Sequence, residues 1–148
     1  MKKAALLSIL VVALQFADGV KAQAQQPARI PRIGILIAAS TSFYSAGVEA
    51  LRQRLRELGY VEGKNILIEY RYAEGKREQL PDLVAELVRL KVDVIVTLGA
   101  PAAQAAKKAS ETIPIVFAGA SDPVGSGLVS SLARPGGNIT GSTLRTCA

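Results

Sequence analysis

The residues best placed for chemistry are short polar or small-residue clusters that each follow an apolar run. Ser40, Thr41 and Ser42 follow the run from Ile33 to Ala38, Gly99 and Ala100 follow Val92 to Leu98, and Ser121 and Asp122 follow the run that begins at Ile113. Hydroxyls both donate and accept, a lone carboxylate receives an ammonium, and glycine or alanine leaves the backbone amide open to a ligand. Helix starts near Ser45 and Ala102 would add N–H donors and the positive end of a dipole, suited to a ligand carboxylate. Such a set reads an amino-acid-like zwitterion by hydrogen bonding and holds no catalytic group. Each element also has a structural role open to it. Ser42 and Asp122 suit helix N-caps, a role compatible with ligand contact. Phe43 and Tyr44 either stack on a ligand or pack at a helix start. Tyr60, Tyr70 and Tyr72 read as packing at the sheet surface or in the core, and Gly136-Gly137-Asn138 reads as a turn.

Several chemistries are excluded by composition. The chain has no histidine, so neither a Ser-His-Asp nor a Cys-His site can be assembled, and the imidazole ligands usual for catalytic zinc are missing. Cys147 is the single cysteine and has no internal disulfide partner. The turn Ala38-Ala39-Ser40-Thr41-Ser42 lacks the glycines of a dinucleotide fingerprint, and no Gly-x-x-x-x-Gly-Lys-Ser/Thr run occurs. Ala38-Ala39 also stands where a phosphoacceptor receiver domain needs acidic residues. No cofactor, metal or catalytic residue is therefore expected.

The elements that must position these clusters alternate along the chain. Ile33 to Ala38 is a continuous apolar run of strand length, the pattern of a strand buried on both faces. Val48, Leu51, Leu55 and Leu58 recur at helical spacing over 45–58, and Gly59 stops that helix. Asn65 to Tyr72 alternates Ile66, Ile68 and Tyr70 with Leu67, Glu69 and Arg71, which suits an edge strand with one wetter face. A helix follows over 80–90 with Pro81 in its first turn, then a strand over 92–98, an alanine-rich helix over 102–109 and a strand over 113–118. A short helix over 124–132 and a short strand over 138–142 complete the series. Strands separated by helices make βαβ units, and right-handed crossovers then demand a parallel sheet with helices on both faces. The expectation is a Rossmann-like α/β fold in the flavodoxin-like strand order 2-1-3-4-5, with ligand chemistry at the switch point.

The ends of the chain are read separately. Met1-Lys2-Lys3 is a cationic start, Ala4 to Leu14 is apolar, and cleavage fits after Ala22 or Ala24, so residues 1–22 read as a signal peptide of a periplasmic protein. The apolar run is well short of the roughly 20 residues that span a bilayer. Residues 23–31 form a flexible lead-in, 32–142 the ligand-binding lobe, and 143–148 an aberrant tail. Beyond residue 22 the chain has 15 basic and 11 acidic groups, a net +4. Arg52, Arg54 and Arg56 interleave with Glu49 and Glu57 on a solvated helix face, with no interleaved aromatics, so nucleic acid is not an expected partner.

Several motifs carry a family resemblance. Gly59-Tyr60-Val61-Glu62-Gly63-Lys64-Asn65-Ile66, Leu80-Pro81 with Glu86-Leu87-Val88, Val92 to Val96, Pro101-Ala102-Ala103, Asp122-Pro123-Val124-Gly125-Ser126-Gly127-Leu128-Val129 and Leu132 to Gly141 stand in a fixed order. In that order they resemble the ABC transporter substrate-binding proteins related to the tryptophan and phenylalanine binders. The resemblance covers about Arg32 to Gly141. It implies the N-terminal lobe of a type I periplasmic binding protein, whose two lobes close on a small amino-acid-like or related organic ligand and present it to an ABC permease. It also implies that Ser40, Thr41, Ser42, Gly99, Ala100, Ser121 and Asp122 face the cleft. One departure is Ala100, where such proteins commonly carry a hydroxyl residue after the glycine. Another is length, since relatives run to roughly twice this size, which suggests a truncated product. The alternatives are a flavodoxin-like small-metabolite enzyme, for which only Asp122 is placed as acid or base, and an exported sensor or interaction domain that pairs with another chain.

Overall fold

A computed structural model describes residues 29–143; the expected signal peptide, the lead-in up to residue 28 and the last five residues of the expected tail lie outside that range. The elements run β1 (Arg32–Ile37), α1 (Thr41–Glu57), β2 (Leu67–Tyr72), a 3-10 turn (Arg77–Gln79), α2 (Leu80–Arg89), β3 (Val94–Leu98), α3 (Ala100–Ala109), β4 (Ile115–Ala120) and β5 (Ile139–Thr143). The sheet has the order β2-β1-β3-β4-β5 and every pairing is parallel, as the alternating pattern predicts.

The two faces of the sheet are covered by different helices because alternate strand residues point to opposite sides. Ile35 and Ile37 form one apolar cluster with Val48, flanked by Tyr44, Leu51, Ile68, Tyr70, Tyr72, Val96 and Leu98, so α1 lies on this face. Leu36, Ile95, Ile115, Phe117 and Ile139 point the other way, into a larger cluster with Leu80, Val84 and Leu87 of α2 and Ala102, Ala103 and Ala106 of α3. Gly34 lets α2 approach closely, since a Cβ there would lie 3.0 Å from both Leu87 methyls. The wetter face expected of β2 is the α2 side: Arg71 donates to Glu86 Oε2 at 2.7 Å and lies 3.7 Å from Glu69. Both groups of this pair retain some solvent access, so its net contribution is below about 1 kcal/mol.

Several motif residues of the resemblance turn out to be scaffold. Asn65 Oδ1 accepts from the Val61 N–H at 2.6 Å and its amide donates to the Gly59 carbonyl at 2.8 Å, which closes the turn into β2. Asp93 Oδ2 accepts from the Arg32 N–H at 2.7 Å at the start of β1. Asn138 donates to the Ser110 and Ile113 carbonyls at 2.9 and 2.7 Å and so ties the approach to β5 to the approach to β4.

One expected element does not form. The segment 124–132 is a run of turns, in which Gly127 N–H donates to the Val124 carbonyl at 3.0 Å, and the Leu128 and Val129 N–H groups both donate to the Pro123 carbonyl. Gly125 and Gly127 weaken any helix here, and Gly127 adopts a φ of +72°, outside the helical region. The apolar residues that suggested a helix are nevertheless used: Leu128 and Val129 are buried in the larger core. Lys107 of α3 holds the segment by donating to the Gly127 and Leu128 carbonyls at 2.7 and 3.1 Å.

Candidate functional site

The loops after β1, β2, β3 and β4 all emerge at the carboxyl end of the parallel sheet, the end at which open α/β folds bind ligands. A depression of about 260 Å³ lies there, lined by Ala38 and Ala39 after β1, Tyr44 of α1, Gly75 and Arg77 after β2, and Gly99 and Pro101 after β3. A second depression, of about 190 Å³ and lined by Arg52, Leu55, Arg56, Tyr60 and Ile66 among others, lies towards the amino end of β2 and contains none of the expected site residues.

Gly99 is the expected residue that lines the depression. It is buried, has a φ of +90°, and a Cβ on it would lie 3.1 Å from the Tyr44 hydroxyl. The backbone conformation calls for glycine, and the close approach shows that Tyr44 reaches across from the first turn of α1 to close against the β3 turn. Tyr44 also packs edge-on to Phe43, with ring centroids 5.0 Å apart, while Phe43 itself is 74% exposed. Ala100 begins α3 directly beside Gly99, so this helix starts two residues earlier than its periodicity suggests.

The hydroxyl cluster Ser40, Thr41 and Ser42 is absent from the lining of the depression. α1 starts at Thr41, four residues before the start expected at Ser45, and this makes Thr41 and Ser42 residues of its first turn. Ser40 is the N-cap residue but makes no side-chain cap; its hydroxyl lies 3.2 Å from that of Ser42. The expected capping role of Ser42 is absent too. The job falls to Glu74, whose Oε1 accepts from the Thr41 N–H at 3.3 Å and also from the Thr41 hydroxyl. Glu74 does this from a left-handed backbone conformation, φ 49°, forced by the tight turn after β2. A protein carboxylate therefore stands at the helix start that seemed free for a ligand carboxylate.

Ser121 and Asp122 follow β4, are exposed, and are absent from the lining of the depression. Asp122 Oδ1 accepts from the Gly125 N–H at 2.8 Å, the bond an N-cap would make, but with no helix following it closes a turn instead. Among the described residues no group of three or more His, Cys, Asp or Glu is placed to hold a metal ion, and no helix is long and apolar enough to cross a membrane.

Sequence reasoning missed Gly75, Arg77 and Glu74. A signal existed: in the order 2-1-3 the loop after β2 adjoins the loop after β1, so Glu74-Gly75-Lys76-Arg77 belonged among the candidates. Treating β2 as a wet edge strand hid this.

The fold is an open, all-parallel α/β sheet with a depression at the carboxyl ends of its strands. The family described as ABC transporter substrate binding protein is matched over residues 32–144, and the chain belongs to it. A protein described as tyrosine-binding, from Clostridioides difficile (strain R20291), is 38% identical over 89 residues, 60% of this chain and 26% of that protein. Among solved structures, a conserved domain protein from Vibrio cholerae is similar with a TM-score of 0.73 and 34% identity, over 76% of this chain and 38% of that one. The ligand-free, open form of a substrate-binding protein with adhesive properties from Clostridium difficile gives 0.73 and 31%, over 77% of this chain and 39% of that one. An ABC domain in complex with L-Trp from Streptococcus pneumoniae gives 0.72 and 30%, over 76% and 38%. The chain thus spans between about a quarter and two fifths of the length of these relatives.

Proposed function

We propose that this chain supplies a ligand-binding lobe of an exported, periplasmic solute-binding component of an ABC importer, that it acts on an amino-acid-like ligand, and that it works by binding rather than catalysis. The observation that carries the reading is the depression at the carboxyl ends of β1 and β3, with an aromatic ring, an arginine and two glycines converging on it. The relatives described as tyrosine-binding and as bound to L-Trp support the ligand class, and the family supports an ABC permease as partner. Asp122, on which an enzymatic alternative depends, has one carboxylate oxygen committed to the Gly125 amide, which favours the binding role.

A depression of about 260 Å³ is smaller than the roughly 300–1,000 Å³ typical of sites that enclose a small molecule. Affinity of this chain alone is accordingly weak, in the millimolar range. Calorimetric titration with a panel of L-amino acids, sugars and nucleotides tests this, and the expected result is weak heats for aromatic amino acids only. Micromolar binding would refute the argument from partial enclosure, and a response to sugars or nucleotides but not to amino acids would refute the ligand class.

A further inference from the structure

Arg29, Arg52, Arg54, Arg56 and Arg71 each lie within salt-bridge distance of a carboxylate, and Arg32 donates to the Leu90 carbonyl at 3.1 Å. Arg77, like Arg89 and Arg134, has no side-chain partner among the described residues, but of these three only Arg77 stands on the wall of the depression, whose lining holds no acid. An unpaired guanidinium presents a planar fork of donors that matches a carboxylate with two parallel hydrogen bonds. The competing anion site, the start of α1, is already faced by Glu74 through the Thr41 amide and hydroxyl, so a second carboxylate there would meet the Glu74 charge. Glu74 Oε2 accepts no hydrogen bond among the described residues, and so a carboxylate oxygen remains free on the residue next to Gly75 of the wall. Gly75 and Gly99 remove side chains from two walls, and Tyr44 provides an apolar third.

We infer that Arg77 is the residue that receives the carboxylate of an α-amino acid in this depression, with Glu74 on the ammonium side and Tyr44 against the ligand's side chain. The inference rests on the amino-acid reading given above and fixes the ligand's polarity within that site. It moves the anion-binding role from the helix start, where elementary dipole reasoning puts it, to a side chain in the loop after β2.

The test is an amide-resolved NMR titration of the whole chain and of its Arg77→Gln variant with L-tyrosine, L-tryptophan and their decarboxylated amines, tyramine and tryptamine. Arg77 is exposed, so the variant is expected to keep the wild-type unfolding midpoint, which is measured alongside. In the wild type the amino acids shift the amides of Gly75, Arg77 and Gly99. Removing the ligand carboxylate or the guanidinium weakens binding about tenfold, the effect of losing a solvent-accessible charge-assisted pair. Arg77→Lys restores part of the loss. If tyrosine binds wild type and Arg77→Gln equally, or tyramine binds as well as tyrosine, the role of Arg77 is refuted while the amino-acid reading survives. If no amino acid moves these amides in the wild type, the amino-acid reading fails and this assignment fails with it.

Discussion

Gly141→Ala should be among the most damaging single-methyl additions in this molecule. Gly141 of β5 pairs with Phe117 of β4, and a Cβ at 141 would overlap the Phe117 carbonyl oxygen while lying 2.6 Å from Phe117 Cγ and 2.8 Å from its carbonyl carbon. A ring can turn away, but a carbonyl in a strand held by β3 on its other side cannot, so β5 must shift or peel away. A local shift of this kind costs about 1–3 kcal/mol. Peeling sets the ceiling. It exposes Ile139, now 3% accessible, for about 1.5–3 kcal/mol, and gives up ladder hydrogen bonds worth about 0.5–1.5 kcal/mol each before the strand recovers backbone freedom. The expected loss is therefore about 2–4 kcal/mol, read as a lower urea midpoint. Hydrogen exchange should localise it to the amides of 139–143. Ser142→Ala, one residue on and exposed, is the control and should stay within about 0.5 kcal/mol. A Gly141→Ala protein with the wild-type midpoint and unchanged exchange in β5 would refute the reasoning.

Three further outcomes follow from named groups. Thr97 is fully buried and its hydroxyl has no hydrogen-bond partner among the described residues, so Thr97→Val, which keeps the shape, should leave the urea midpoint unchanged or raise stability by up to about 1 kcal/mol. The Tyr70 phenol is held above its ordinary value of 10.0 chiefly by burial and secondly by the Glu62 carboxylate. The folded chain thus keeps a proton that the unfolded chain has released, so stability present below about pH 10 is lost as pH rises towards the folded value. Urea midpoints against pH should fall in that alkaline window, and Tyr70→Phe should flatten the fall. Glu74→Ala leaves the left-handed backbone in place and removes the acceptor for Thr41, which should cost about 1 kcal/mol in thermal or urea unfolding, while Glu74→Gln should recover most of it.

The fold was legible because burial writes itself into period and composition. Ile33 to Ile37 is apolar without alternation since both of its faces are covered, and β2 alternates since it is the edge. The segment 124–132 misled for a related reason: Leu128 and Val129 are core residues, but two glycines let the chain deliver them to the core through turns. Apolar spacing records which residues are buried, and it records backbone conformation only where the backbone is regular.

The site was harder to read, and the reason is physical. Asn65, Asp93 and Asn138, which stand within the motifs that identify the family, spend their hydrogen-bonding groups on fixing turns and strand starts. Scaffold of this kind identifies a fold without specifying what the fold holds. The groups in and next to the depression are set instead by loop geometry: Glu74, beside the lining residue Gly75, reaches the start of α1 from 33 residues along the chain, and Arg77 of the wall has no side-chain partner among the described residues. A helix start looks like an anion site only until a protein carboxylate is found there, and a surface arginine looks like solvated charge only until its neighbours are known. On the assignment proposed for Arg77, Glu74 keeps a ligand carboxylate away from the helix start, which makes Glu74→Ala informative beyond stability: freeing the Thr41 amide should reopen the helix start to anions and weaken the dependence of tyrosine binding on Arg77.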